Sequence, residues 1–186
     1  MDKELIEQHR EINVDTSWWY QDVFNSWTEK LKEKGIEAED FAFSGFWSQG
    51  DGASFRGKIN VVAFMRAHEF DHKYPATFYM AEHDEVHLRL FREASLYSHE
   101  HTITLSSECE EYNPYDTAED LRYSVFETML EESIKEWAAF ETDVLHECRA
   151  YMRLVYAELE QDYYSLTSDE AVWETIQANE LHLQAA

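Results

Sequence analysis

Eleven apolar residues return at helical spacing along one stretch of the chain: Leu121, Val125, Leu130, Ile134, Trp137, Val144, Leu145, Cys148, Met152, Val155 and Leu159. A period near 3.6 sustained over that length requires a long helix, and the apolar stripe it creates requires cover from the rest of the chain. The cover must come from upstream. Trp18, Trp19, Val23, Phe24, Trp27 and Leu31 predict a helix opening at Asp15 or Thr16, with Lys30, Lys32 and Lys34 at its negative end and Gly35 as its stop. Segments 41–47 and 54–59 flank the turn 48–52 (SQGDG), which predicts a hairpin. Residues 61–72 read as a short helix ended by Pro75, while 86–90 and 97–105 alternate like strands. A loop around Asn113 and Pro114 leads to a capped helix start at 117–120, and Ser168 opens a last short helix through Leu181. The order helix, strands, helices predicts an α+β fold: a small antiparallel sheet packed with an N-terminal helix and a long acidic C-terminal helical region. A length of 186 residues predicts a single domain over 1–186, with 1–110 as helix plus hairpins and 117–182 as the acidic helical half.

The charge is the second constraint. The chain carries 39 Asp and Glu against 15 Lys and Arg, a formal −24. Positions 1–99 hold 18 acids and 11 bases, whereas 100–186 hold 21 acids and only Arg122, Lys135, Arg149 and Arg153 as bases. Aromatic content of 15%, with only 5 Gly and 2 Pro, sets the chain apart from disordered acidic segments, so the charge sits on folded structure. A folded polyanion repels nucleic acid and anionic membranes and attracts basic partners. No run of eighteen apolar residues occurs, and Met1-Asp2-Lys3-Glu4 lacks a secretory pattern, which predicts a soluble protein of the cytoplasm. Cys109 and Cys148 have no CxxC spacing and read as free thiols.

On the long helix the acids form rows. Glu132, Glu136, Asp143 and Glu147 fall within about 60° of one another, with Glu127 and Glu131 as a second row beside them. Carboxylates in such a row stand ~6 or ~10 Å apart, close to the spacing of phosphates along a nucleic-acid strand. These six residues are the candidate binding face, for a basic nucleic-acid-binding protein or nuclease complex. The plainer alternative is a solvated helix surface, since Glu is a good helix former. A homodimer is compatible with either reading.

The segment 43–55 (FSGFWSQGDGASF), preceded by a Trp-rich stretch, resembles a motif of uncharacterised proteins from phages and bacterial mobile elements, some with antitoxin-like labels. In charge, the second half is similar to the phage antirestriction and anti-CRISPR proteins that imitate nucleic acid. Together the resemblances imply a counter-defence inhibitor acting in the host cytoplasm, or an antitoxin-like partner of a basic toxin. They carry no catalytic residues with them.

Two histidine arrangements offer a metal alternative. His68-Glu69-Phe70-Asp71-His72 satisfies H-E-x-x-H, which on a helix would set His68 and His72 one turn apart around zinc, with Glu69 as general base. His99 and His101 alternate onto one face of a predicted strand, near His83 and His87. Asp51, between two glycines, has the chemistry to bind a cation or a sugar, although a tight turn accounts for the same residues. No phosphate-binding loop, G-x-G-x-x-G or G-x-S-x-G occurs, so neither a catalytic residue nor a cofactor is expected.

Overall fold

The computed structural model describes residues 1–15, 18–83, 86–93, 97–107 and 124–181, the side chains of 107 and 124–127 excepted. The fold is α+β. By its contacts the chain divides into two units, Met1–Ser26 with Leu154–Ala186, and Trp27–Arg153, a division that does not follow the sequence halves 1–110 and 117–182.

The second unit is built on four antiparallel strands in sequential order: β1 (Ile36–Ser44), β2 (Gly52–Asn60), β3 (His87–Arg92) and β4 (Ile103–Ser107). Alternation sends Phe55, Ile59, Leu88 and Leu90 into the core at 0% exposure. Gly57 pairs with Ala38, and a Cβ on it would stand 2.1 Å from the Glu37 carbonyl oxygen. The register of β1 shifts between Glu39 and Ala42, where Asp40 takes φ 49° and its carboxylate meets Arg56 at 2.5 Å. Such a bulge also blunts an edge strand against foreign pairing. The predicted hairpin is present, closed by Asp51, whose Oδ2 accepts from the amides of Trp47 at 2.8 Å and Ser48 at 2.7 Å. These bonds hold the Asp51 carboxyl below the usual range and leave it serving its own turn.

Between β2 and β3 the chain forms α3 (Val61–Ala67), α4 (Phe70–Lys73) and α5 (Pro75–His83). The expected helix over 61–72 is therefore broken: His68 ends α3, and Glu69 adopts φ 58° and ψ 27°. Pro75 opens α5 instead of merely stopping a helix, because its missing N–H costs nothing in a first turn. The expected strand over 97–105 starts only at Ile103, since Glu100–Thr102 forms a 3-10 turn capped by His99.

The helix α2 (Gln21–Lys32) begins later than Asp15, leaving Trp18 ahead of it at 77% exposure. The long helix α6 (Ser124–Leu166) runs for 43 residues. Within the second unit it buries Phe140, Val144, Cys148 and Met152, and Phe140 meets the rings of Phe70 and Tyr74 at 6.5 and 5.6 Å. Ile134, counted with the apolar stripe by spacing, is 56% exposed. The expected loop at Asn113–Pro114, the helix start at 117–120 and Cys109 lie outside the described residues.

The first unit contains α1 (Lys3–Gln8), which spacing did not predict, and α7 (Asp169–Ala178), which opens on the expected Ser168 cap. Leu5 and Ile6 of α1 bury against Val172 and Ile176 of α7. Asn13 donates to the Leu166 carbonyl at 2.9 Å and accepts from the Thr175 hydroxyl at 2.7 Å. Among the described residues, no helix is long and apolar enough to cross a membrane.

Candidate functional site

The rows of acids on α6 do not form one free face. Glu136 Oε2 accepts from the Thr77 amide at 2.9 Å and from the Thr77 hydroxyl at 3.0 Å. Thr77 is the third residue of α5, so its amide is one of the donors a helix leaves unpaired, and Glu136 caps that helix from a distance in sequence. Asp143 Oδ2 accepts from the Tyr74 hydroxyl at 2.6 Å and pairs with Lys73. Hydrogen bonds from Lys73 and Tyr74 hold the Asp143 carboxyl below its usual range. Glu147 is half-buried beside Tyr151 and Cys148, and its charge adds to the burial that raises both their pKa values. Glu131 and Glu132 are exposed, with Glu132 2.7 Å from Lys135. The side chain of Glu127 lies outside those described. The six candidate residues thus separate into two exposed acids, two that brace α4 and α5, one half-buried, and one outside description.

The densest charge lies elsewhere. The unit made of Met1–Ser26 and Leu154–Ala186 holds 13 acids and two bases, Lys3 and Arg10. The larger unit holds 26 acids and 13 bases over more than twice the residues. Arg10 is engaged internally, 2.5 Å from Asp169 and 3.0 Å from the Thr167 carbonyl, and is also paired with Glu7. On α7, Val172 and Ile176 point into the core, which turns Glu170 and Glu174 outward one helical turn apart. Glu4 and Glu7 are exposed on α1. Burial, and then the neighbouring Glu158 charge, push the Asp162 carboxyl upward. No local pattern reveals this surface, because the two stretches that build it stand more than a hundred residues apart.

The H-E-x-x-H arrangement is not assembled. With Glu69 in the left-handed region, His68 and His72 do not share a helix. Both ring nitrogens of His68 are occupied, Nδ1 with the Phe64 carbonyl at 2.7 Å and Nε2 with the Tyr151 hydroxyl at 2.8 Å. The ring stacks on Phe64 at 3.9 Å, and burial lowers its pKa, so this is a neutral packed imidazole. The His72 side chain is 87% exposed. The His83 ring packs tilted against Tyr79 at 4.4 Å, and neither it nor His87 joins His99 and His101.

His99 and His101 do converge, with a partner the strand reading omitted. Ligand atoms of His99, Glu100 and His101 lie within 4.8 Å of one another, the one such group among the described residues. The Glu100 side chain is only 10% exposed, with Oε2 2.9 Å from His99 Nδ1 and Oε1 3.9 Å from His101 Nε2. The two imidazoles stack at 4.9 Å and 23°. Arg149 donates to the carbonyls of Glu100 at 3.2 Å and Ile103 at 3.0 Å, which fixes the turn on α6. Glycine at position 52 lets His99 lie on the hairpin end, since a Cβ there would come 2.7 Å from the ring.

The sequence profile of a family described as "Domain of unknown function (DUF8835)" matches residues 19–169. The chain belongs to this family. The match contains the whole Trp27–Arg153 unit, including the hairpin and the His99–His101 turn, and stops at the first residue of α7. No curated protein and no solved structure matches the DUF8835 chain.

Proposed function

We propose that this protein is a non-enzymatic binder of basic nucleic-acid-binding proteins or nucleases, of the phage counter-defence type, and that its folded acidic surface stands in for phosphates. One observation carries the reading: the unit formed by the two end segments has 13 acids against two bases, and one of those bases, Arg10, is engaged internally. Uncompensated charge on a packed unit costs stability by self-repulsion, and a basic groove would convert that cost into attraction. The binding surface is placed on Glu4, Glu170 and Glu174, with Glu131 and Glu132 as a second exposed patch. Glu136 and Asp143 are excluded from it, since they brace α4 and α5.

The test is capture from host lysate at low and high salt, comparing wild type with Glu170→Lys/Glu174→Lys. The expected result is a basic nuclease or DNA-binding complex, released by salt, competed by DNA and lost with the double variant. A partner retained equally by that variant, with unchanged salt dependence, would refute the placement. A single small basic toxin as the captured protein would turn the reading to an antitoxin acting through the same surface.

A further inference from the structure

We infer that His99, Glu100 and His101 form a binding site for one borderline divalent ion such as Zn2+. Two imidazoles and a carboxylate make a donor set suited to zinc or its neighbours, whereas calcium and magnesium ask for oxygens alone. The donors stand close together, with His99 Nδ1 accepting from the His101 amide at 3.2 Å, a bond the imidazole would exchange for the ion. Tetrahedral zinc with bonds of about 2.0–2.2 Å holds neighbouring donors roughly 3.3 Å apart. The present separations reach 4.8 Å at most, so closure needs a small rotation, and the His101 side chain, 70% exposed, is free to make it.

The other two ligands are held beforehand. Glu100 is buried on a turn that Arg149 ties to α6 through two backbone carbonyls, and His99 rests on the hairpin at Gly52. A carboxylate so enclosed calls for a cation. Arg153 forms an ion pair with Glu100 Oε1 at 3.7 Å, too long for a hydrogen bond, while Oε2 has an imidazole nitrogen at 2.9 Å, so a bound ion would add to a charge that Arg153 meets only loosely. An ion at this point would lock the 3-10 turn, which already rests on the hairpin end at Gly52 and is tied to α6 by Arg149. It would keep one position open for water or an outside donor, as three-ligand zinc sites do.

The experiment is titration of the metal-free full-length chain with Zn2+ by calorimetry, in excess Mg2+ to occupy diffusely placed acids, and with Co2+ to read the visible spectrum. Wild type is expected to take one equivalent and to give the intense absorption of tetrahedral Co2+. His101→Ala, which alters an exposed side chain and spares the core, should weaken Zn2+ at least about tenfold, and His99→Ala at least as much. His72→Ala should bind like wild type. Absence of stoichiometric Zn2+, or unchanged affinity in His101→Ala, would overturn the assignment, as would loss of binding in His72→Ala alone.

Discussion

Replacing Glu136 by Ala tests whether an acid on α6 serves the fold or a partner. Thr77 is 1% exposed, and its amide and hydroxyl both point at Glu136 Oε2. Removing the carboxylate strands two buried donors and uncaps α5. A hydrogen bond to a charged acceptor contributes about 1.5–3 kcal/mol. Because the two bonds share one oxygen, we take about 2–3 kcal/mol for the pair together, with the cap included. At about 2–4 °C per kcal/mol for a chain of this size, the melting temperature should fall by roughly 4–12 °C. Glu132→Ala removes the same charge and only an exposed pair with Lys135, so it should cost no more than about 0.5 kcal/mol. The comparison cancels the small gain from lower net charge. Glu136→Gln keeps an acceptor oxygen and should fall between the two. The assay is calorimetric melting of the three variants side by side. If Glu136→Ala melted with Glu132→Ala, the capping argument would fail.

Two other outcomes follow from the same contacts. Because Asp143 has a lowered pKa in the folded state, its contribution is complete above the ordinary carboxyl value near 3.9 and fades as pH falls below it. The stability gap between wild type and Asp143→Asn should therefore be constant from pH 7 to about 5 and shrink toward pH 2–3, as read by melting against pH. Gly57→Ala places a methyl group 2.1 Å from the Glu37 carbonyl oxygen in the middle of the β1–β2 pairing, so it should destabilise by about 2 kcal/mol or more in denaturant titration, whereas Ala38→Gly at the paired position should cost less.

The fold was legible where local chemistry decides it. Gly35 ends α2 at φ 77°, the SQGDG turn closes the hairpin, and Ser168 caps α7 through the Ala171 amide. It was illegible where the decision is made across the chain. A six-residue helix such as α1 does not stand on propensity alone, and its two buried residues take their buried partners, Val172 and Ile176, from α7. The break at Glu69 likewise lies inside a segment that reads as helical. For the acids, periodicity groups residues by angle and does not say what faces them. The predicted row borders the apolar seam, with Phe140 only about 40° around the helix from Glu136, so half of the row was placed to meet α4 and α5. A strand over 97–105 points Glu100 away from His99 and His101, so alternation does not group the three. The 3-10 turn brings all three to one side.

The discontinuous unit also sets an order of events at the ribosome. Its N-terminal segment, Met1–Ser26, is made first, yet Val172, Ile176 and the carbonyls of Leu166 and Thr167 that complete it come last. At about 5–20 residues per second, the 127 residues between Ser26 and Leu154 take roughly 6–25 s to synthesise. Throughout that interval Leu5 and Ile6 lack the cover of Val172 and Ile176, while all of Trp27–Arg153 emerges and can close on itself. The nascent chain thus carries an apolar segment, Leu5 and Ile6, whose partners Val172 and Ile176 are made more than a hundred residues later.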